Sequence, residues 1–192
     1  RVRTPDMFDL QWDKPLPLVP RRLRREVRER IAADGGIVQP LDEEELRGIA
    51  ADLVAAGVES IAICFINSFR NPVHERRADA VLREAFPNLA ITASVSVLAE
   101  MREYERTSTA VVNAYVLPIL QSYLQRLEEG LLEIGVRAPL LVSDSNGGLA
   151  AARTAREKPV FFISSGRSAG VVGAARLGGV AGEEDIVVFD MG

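Results

Sequence analysis

The sequence predicts an α/β protein: a mostly parallel sheet with flanking helices, preceded by an N-terminal β-hairpin. Three observations carry that expectation. Short apolar runs at 58–66, 89–97, 139–142, 160–163 and 186–189 alternate with helical stretches. Such alternation builds parallel strands joined by right-handed crossovers. The run Ile186-Val187-Val188-Phe189 is wholly β-branched or aromatic, as in a strand buried on both faces. Ala33-Asp34-Gly35-Gly36 is a hairpin turn signal between two apolar segments.

Composition narrows the class. The 192 residues are 47% hydrophobic and 26% charged, enough apolar material for a real core in one domain or one and a half. The formal net charge of −4 gives no general drive toward nucleic acid or an anionic membrane. The single cysteine, Cys64, excludes an internal disulfide framework and fits a reducing, cytoplasmic setting. It lies in the apolar run IAICFI and reads as a small buried residue. One histidine and one cysteine leave no set for a structural zinc. No stretch approaches the ~20 apolar residues that cross a bilayer, and no signal-peptide pattern opens the chain.

Two regions are expected, an extended segment with a hairpin at 1–41 and an α/β lobe at 42–192. Pro5, Pro15, Pro17 and Pro20 oppose helix at the start, where Phe8 and Trp12 are the natural anchors. Six arginines between Arg21 and Arg30 suggest a phosphate or nucleic-acid patch, but Glu26 and Glu29 are interleaved, so a solvated face is the better reading. The hairpin is expected to pair 22–32 with 37–40. Asp42 caps a helix, Glu45 stands at the capping-box position, and Gly57 ends it; Leu46, Ile49, Ala50, Leu53 and Val54 form its apolar face. Strand 58–66 leads through a polar loop into helix 74–86, with Ala78, Val81, Leu82 and Ala85 inward. His74, beside Glu75 and without a second ligand at metal spacing, reads as a surface or capping residue. Strand 89–97 follows.

The longest helix is expected over 103–132, kinked or broken near Leu117 by Pro118, with a packing stripe of Leu117, Leu120, Leu124, Leu127 and Leu131. Its polar opening either presents Arg106 and Thr107 to a substrate or nucleotide, or is a charge-paired helix start. After strand 139–142, the loop Ser143-Asp144-Ser145-Asn146-Gly147-Gly148 offers either a row of exposed backbone donors or a simple turn. A short helix, 150–157, precedes strand 160–163 and a turn at Ser164-Ser165-Gly166. Helix 168–177 carries Gly170, Gly173 and Ala174 on one face, which suggests another backbone passing close by, either in plain packing or where two lobes move. Asp190, at the carboxyl end of the last strand and running into Gly192, stands where open α/β sheets build ligand sites.

These segments together resemble the hydantoinase A/oxoprolinase family, which includes N-methylhydantoinases, 5-oxoprolinases and subunits of acetone-type carboxylases. The resemblance rests on DMFDLQWDKP (6–15), REYERTSTAVVNAYVLP (102–118), SNGG (145–148), SGRSAGVVGAA (165–175) and FDMG (189–192). Two departures stand out: Arg167 where the family usually has proline, and Asp144 where it usually has glutamine. Arg167 either assists a phosphate or, with Asp144, marks altered chemistry. The resemblance implies an actin-like, ribonuclease H-like ATPase lobe whose small-residue helix precedes a second phosphate loop. It further implies that the chain is an internal piece, with the first phosphate loop upstream and the adenosine-binding segments downstream.

The implied activity is ATP- and Mg²⁺-dependent hydrolysis of a cyclic amide such as a hydantoin or 5-oxoproline, or carboxylation of a ketone, with a carbonyl or enolate oxygen phosphorylated. A second subunit or domain of the hydantoinase B type is the implied partner. Gly166, Asp190, Met191 and Gly192 would form the phosphate site, with Asp190 holding Mg²⁺ through water. Arg106, Thr107, Ser145, Asn146, Gly147, Gly148 and Arg167 would face substrate or a lobe interface. The catalytic residues are not identified. The competing expectation is a non-catalytic actin-like module that binds nucleotide to regulate a partner.

Overall fold

The computed structural model describes residues 11–13 and 15–191. Phe8, the 6–10 part of the first motif, and Gly192 lie outside the described residues. Trp12 is half-buried.

The hairpin forms, but its first strand is short. β1 (Arg30–Ile31) pairs antiparallel with β2 (Ile37–Gln39) around a turn in which Gly36 N–H donates to Asp34 Oδ1 at 2.9 Å. The strand expected from residue 22 is replaced at its start by a 3₁₀ turn, Arg21–Leu23. Further along, the Arg28 carbonyl accepts from Asp42 N–H, and Arg28 N–H donates to Glu45 Oε2 at 2.7 Å. Those groups are spent on the next helix and cannot join a ladder. The arginine run is a solvated face, with Arg21, Arg22, Arg24, Arg25, Arg28 and Arg30 all exposed.

α1 (Glu43–Ala55) begins where Asp42 Oδ1 accepts from Glu45 N–H at 3.0 Å. The capping box is half made, because Glu45 turns to Arg28. Leu46, Ala50 and Leu53 are buried, Ile49 is half-buried and Val54 is exposed. Gly57, at φ +84°, ends the helix: its N–H donates to Val54 O, and Val58 N–H donates to Leu53 O.

β3 (Ser60–Ile63) and β4 (Ala90–Ala93) pair in parallel, Ser60 opposite Ala90 and Ile63 opposite Ala93. α2 (Val73–Ala85) is the crossover between them. Leu46, Ala50, Ile63, Ala78, Val81, Leu82 and Ile91 form one core. Ala85, expected inward, is exposed. Ile91 points into this core, whereas its neighbour Thr92 accepts a hydrogen bond from Asn113 Nδ2 at 3.1 Å, so helices cover both faces. The second half of the expected strand 89–97 is instead a single helical turn, α3 (Ser94–Val97). There Ser94 Oγ and Val95 N–H are drawn to the Glu75 carboxylate, which bends the chain away from the strand direction.

α4 (Glu103–Glu133) runs through Pro118 without a break. Leu117 and Leu124, buried on either side of the proline, hold the helix through it, although Pro118 removes one backbone bond. Of the expected stripe, Leu117 and Leu124 are buried and Leu120, Leu127 and Leu131 are half-buried. β5 (Leu141–Ser143) and β6 (Leu149–Ala151) form an antiparallel hairpin, so 144–148 is a hairpin turn and not the loop after a parallel strand. α5 (Ala152–Glu157) follows. The expected strand 160–163 is a 3₁₀ turn, Pro159–Phe162. Pro159 favours a helical start, and Asn113 takes Val160 N–H at 3.2 Å and donates to Glu157 O at 3.4 Å. Leu124, Ala155 and Phe162 form a second core.

α6 (Ser165–Ala181) is longer than expected and has no buried residue. A Cβ on Gly170 or Gly173 would meet nothing within 4 Å, so no other described backbone passes there; Gly178 is the crowded one, 3.1 Å from Ile186 Cγ2. The expected strand 186–189 is irregular: Val187 is 82% and Phe189 86% exposed, with no neighbouring strand to pair with among the described residues. The fold is therefore α/β, but its parallel content among the described residues is the β3–β4 pair, beside two antiparallel pairs.

Candidate functional site

The carboxyl ends of β3 and β4 open onto a buried polar cluster. Glu75, on the first turn of α2, has no exposed surface. Its Oε1 accepts from Phe65 N–H at 2.8 Å, Ser68 Oγ at 2.6 Å and Ser94 Oγ at 2.8 Å. Its Oε2 accepts from Val95 N–H at 2.9 Å. On the other side of Phe65, the buried Arg106 donates from Nη2 to the Phe65 carbonyl. Cys64 lies between these charges. Burial pushes its thiol up to about 12, the Glu75 carboxylate adds to the rise, and Thr107, Arg106 and Ser94 oppose it. Cys64 is thus an inert packing residue, as expected from its apolar run.

His74 is not at the surface. Its Nδ1 lies 2.8 Å from Glu29 Oε2, and both side chains are 6% exposed. The signal was present: His74, Ala78 and Val81 follow helical spacing, and Glu75, Ala78 and Leu82 do the same.

Arg106 and Thr107 occupy the first turns of α4. The charge-paired start is loose: Glu103 Oε1 accepts from Asn67 N–H at 3.3 Å and lies 3.8 Å from Arg106 Nη2. Asn67 (φ +59°) and Arg102 (φ +83°) are the described non-glycine residues in left-handed conformation, and both flank this point. Arg106 Nε and Nη1 have no hydrogen-bond partner. The guanidinium carbon sits 5.9 Å from the Phe69 ring centroid.

A second group forms around the β5–β6 turn. Ser145 N–H donates to Phe161 O at 2.7 Å, Ser164 N–H to Ser145 Oγ at 3.2 Å, and Ser168 Oγ to Ser145 O at 2.6 Å. Gly147 has φ +85°, and a Cβ there would lie 2.7 Å from Val172 Cγ2. Arg167 Nη2 donates to Ser164 Oγ at 3.1 Å. The structure therefore brings Ser145–Gly148 against the start of α6, where Gly166 sits exposed. The row of donors faces inward, because Asp144 Oδ1 accepts from Asn146 N–H at 2.8 Å and Gly148 N–H at 2.9 Å. Asp190 and Met191 are exposed on the irregular segment. Among the described residues no hydrogen bond or ion pair joins Asp190, the turn, and Arg106 to one another, and no group of three or more His, Cys, Asp or Glu could hold a metal. No helix of the described residues is long and apolar enough to cross a membrane.

The hydantoinase/oxoprolinase N-terminal region matches residues 1–86, and the hydantoinase/oxoprolinase region matches residues 106–192. The chain belongs to the hydantoinase/oxoprolinase family. It is 38% identical over 192 residues to an uncharacterized protein of Methanocaldococcus jannaschii, covering all of this chain and 28% of that one. It is 36% identical over 185 residues to the caprolactamase subunit alpha of Pseudomonas jessenii, covering 96% of this chain and 27% of that one. The crystal structure of the ATP-dependent caprolactamase from Pseudomonas jessenii superposes with TM-score 0.83 over 96% of this chain and 27% of that one. A nucleotide-free structure of acetone carboxylase superposes with TM-score 0.77 at 31% identity, over 88% of this chain and 24% of that one. The chain spans about a quarter of the length of these two curated relatives.

Proposed function

We propose that this chain contributes to an ATP-dependent enzyme that opens a cyclic amide of the hydantoin, 5-oxoproline or lactam kind, or that carboxylates a ketone, together with a second subunit. The observation that supports this reading most is the likeness to the ATP-dependent caprolactamase in both sequence and backbone. The reading includes an actin-like lobe, supported by the helices on both faces of the β3–β4 pair. ATP, when bound, would supply a phosphoryl group to a carbonyl or enolate oxygen and so make a better leaving group.

The described residues do not by themselves fit that nucleotide or its Mg²⁺. The amides of Asn146 and Gly148 are spent on Asp144, and among the described residues Asp190 belongs to no group of three or more His, Cys, Asp or Glu that could hold a metal. The assignment of Asp190, Met191 and Gly166 to a phosphate and metal site therefore requires groups from elsewhere in the enzyme. The 192-residue stretch alone is expected to bind Mg-ATP weakly and to turn nothing over; tight binding in calorimetry overturns that expectation.

The test of the enzyme is ATP hydrolysis by the full-length protein with its partner subunit, against hydantoins, 5-oxoproline, caprolactam and simple ketones. ADP release stimulated by one class supports the reading and names the substrate. Nucleotide binding with no stimulation by any of them overturns it. That result would favour the second reading, a regulatory nucleotide-binding module, which is motivated by Asp144 occupying the donors of its own turn.

A further inference from the structure

We infer that the first turn of α4 is an oxyanion-binding site, with Arg106 as the receptor for a phosphate or carboxylate group. The guanidinium is 1% exposed, yet two of its three nitrogens, Nε and Nη1, have no partner. A cation taken out of water needs a counter-charge and hydrogen-bond acceptors, and is costly without them. The contacts present fall short of that. The Phe65 carbonyl carries only a partial charge, the Phe69 ring offers only its face, and Glu103 lies 3.8 Å from Nη2.

The neighbouring charge does not meet the need either. Glu75 directs its oxygens at Phe65 N–H, Val95 N–H and the hydroxyls of Ser68 and Ser94, with none on Arg106.

The backbone at the same point favours an anion independently. α4 is 31 residues long and starts after Arg102, whose side chain makes no cap. The N–H groups of Glu103, Tyr104 and Glu105 have no acceptor among the described residues. A helix start with free amides attracts negative charge. Arg106 Nη2 lies 3.8 Å from Glu103 Oε1, three residues back toward this end, as the tilt of helical side chains allows. Glu103, 43% exposed and accepting from Asn67 N–H at 3.3 Å, walls the site. Its carboxylate makes only a long ion pair with the guanidinium, 3.8 Å from Nη2, so an incoming oxyanion competes with Glu103 for the same field. The chemistry required is a small oxyanion with several acceptor lone pairs, whether inorganic phosphate, a phosphate of a larger ligand, or a carboxylate.

Binding is read without turnover, so the proposed reaction can fail while this site stands. Inorganic phosphate and acetate are titrated into the full-length protein by calorimetry at fixed ionic strength. Wild type is expected to bind at least one of them. Arg106→Met is expected to lose at least about tenfold in affinity, as for removal of a hydrogen bond to a charged group, with Arg106→Lys intermediate. Glu103→Gln, at an exposed side chain, is expected to tighten binding by removing the competitor. Phosphate binding alone points to a phosphorylated ligand, and acetate binding alone to a carboxylate ligand. The proposal is overturned if wild type binds neither, if Arg106→Met binds as wild type does, or if Glu103→Gln leaves affinity unchanged. Should Arg106→Met not fold, the Glu103→Gln comparison decides.

Discussion

Cys64 ties side-chain chemistry to stability. Its thiol is pushed up to about 12 in the folded protein, from an ordinary 9.0, by burial first and by Glu75 second. The sign follows from the neutral form being the one the fold accepts. Below pH 9 both folded and unfolded chains keep the proton, and the contribution is fully present. Between pH 9 and about 12 the unfolded chain loses its proton first, so stability falls as pH rises through that window. Denaturant midpoints across pH 8–11 should decline in wild type and decline less in Cys64→Ala. Parallel slopes would mean that the thiol is not titrating behind a barrier of burial. Alkylation of Cys64 should likewise be slow in the folded chain, because the thiolate is the nucleophile.

The β5–β6 turn and α6 depend on each other through Gly147. A side chain there would need φ +85° and would strike Val172 Cγ2 at 2.7 Å. A left-handed conformation costs a non-glycine residue roughly 1–2 kcal/mol, and the clash adds to that. Gly147→Ala is expected to lower stability by at least about 1 kcal/mol and to raise amide hydrogen exchange across the start of α6. Unchanged exchange in α6 would show that the turn does not support it. Elements of this kind explain what the sequence could and could not reveal. α1, α2 and the length of α4 were legible, because Asp42, Gly57 and the spacing of Leu46, Ala50 and Leu53 act locally. The hairpin turn was legible in Asp34-Gly35-Gly36 for the same reason. The helical turns at 94–97 and 159–162, where strands were expected, were not, because distant residues decide them: Glu75 captures Ser94 and Val95, and Asn113 captures Val160. In the candidate site, the contact between Ser145–Gly148 and α6 followed no local pattern. The anchoring of Arg106 on Phe65 spans a separation of 41 residues. Its polar neighbourhood could be foreseen from composition, but its burial could not.

At the scale of the molecule, α4 links the β3–β4 layer to the second core. Its first half meets the β3–β4 layer through Asn113 and Thr92, and Leu124 sits in the second core with Ala155 and Phe162. Gln121 and Arg156 extend the connection, Gln121 Nε2 donating to Arg156 O at 3.2 Å and Arg156 pairing with Glu128 at 3.0 Å. One long rod from the β3–β4 layer into the second core couples the two in unfolding. Leu124→Ala should cost about 2–5 kcal/mol and shift one unfolding transition reported alike by far-ultraviolet and tryptophan signals. A separate early transition confined to residues beyond α4 would show that the second core melts on its own. Against this frame the segment after α6 contributes little, since Val187, Phe189 and Met191 bury almost nothing.

Phe65 is gripped from opposite sides, its N–H by Glu75 and its carbonyl by Arg106. Those two groups belong to the two peptide planes that meet at its α-carbon, so both backbone torsions of Phe65 are clamped. A residue held in this way cannot serve as a hinge. Any domain closure in the full-length protein must pivot elsewhere, and the end of β3 then travels as a rigid handle that carries Arg106 with it. Whatever Arg106 binds would sense the position of the whole β3–β4 layer, and would not report the flexing of a loop.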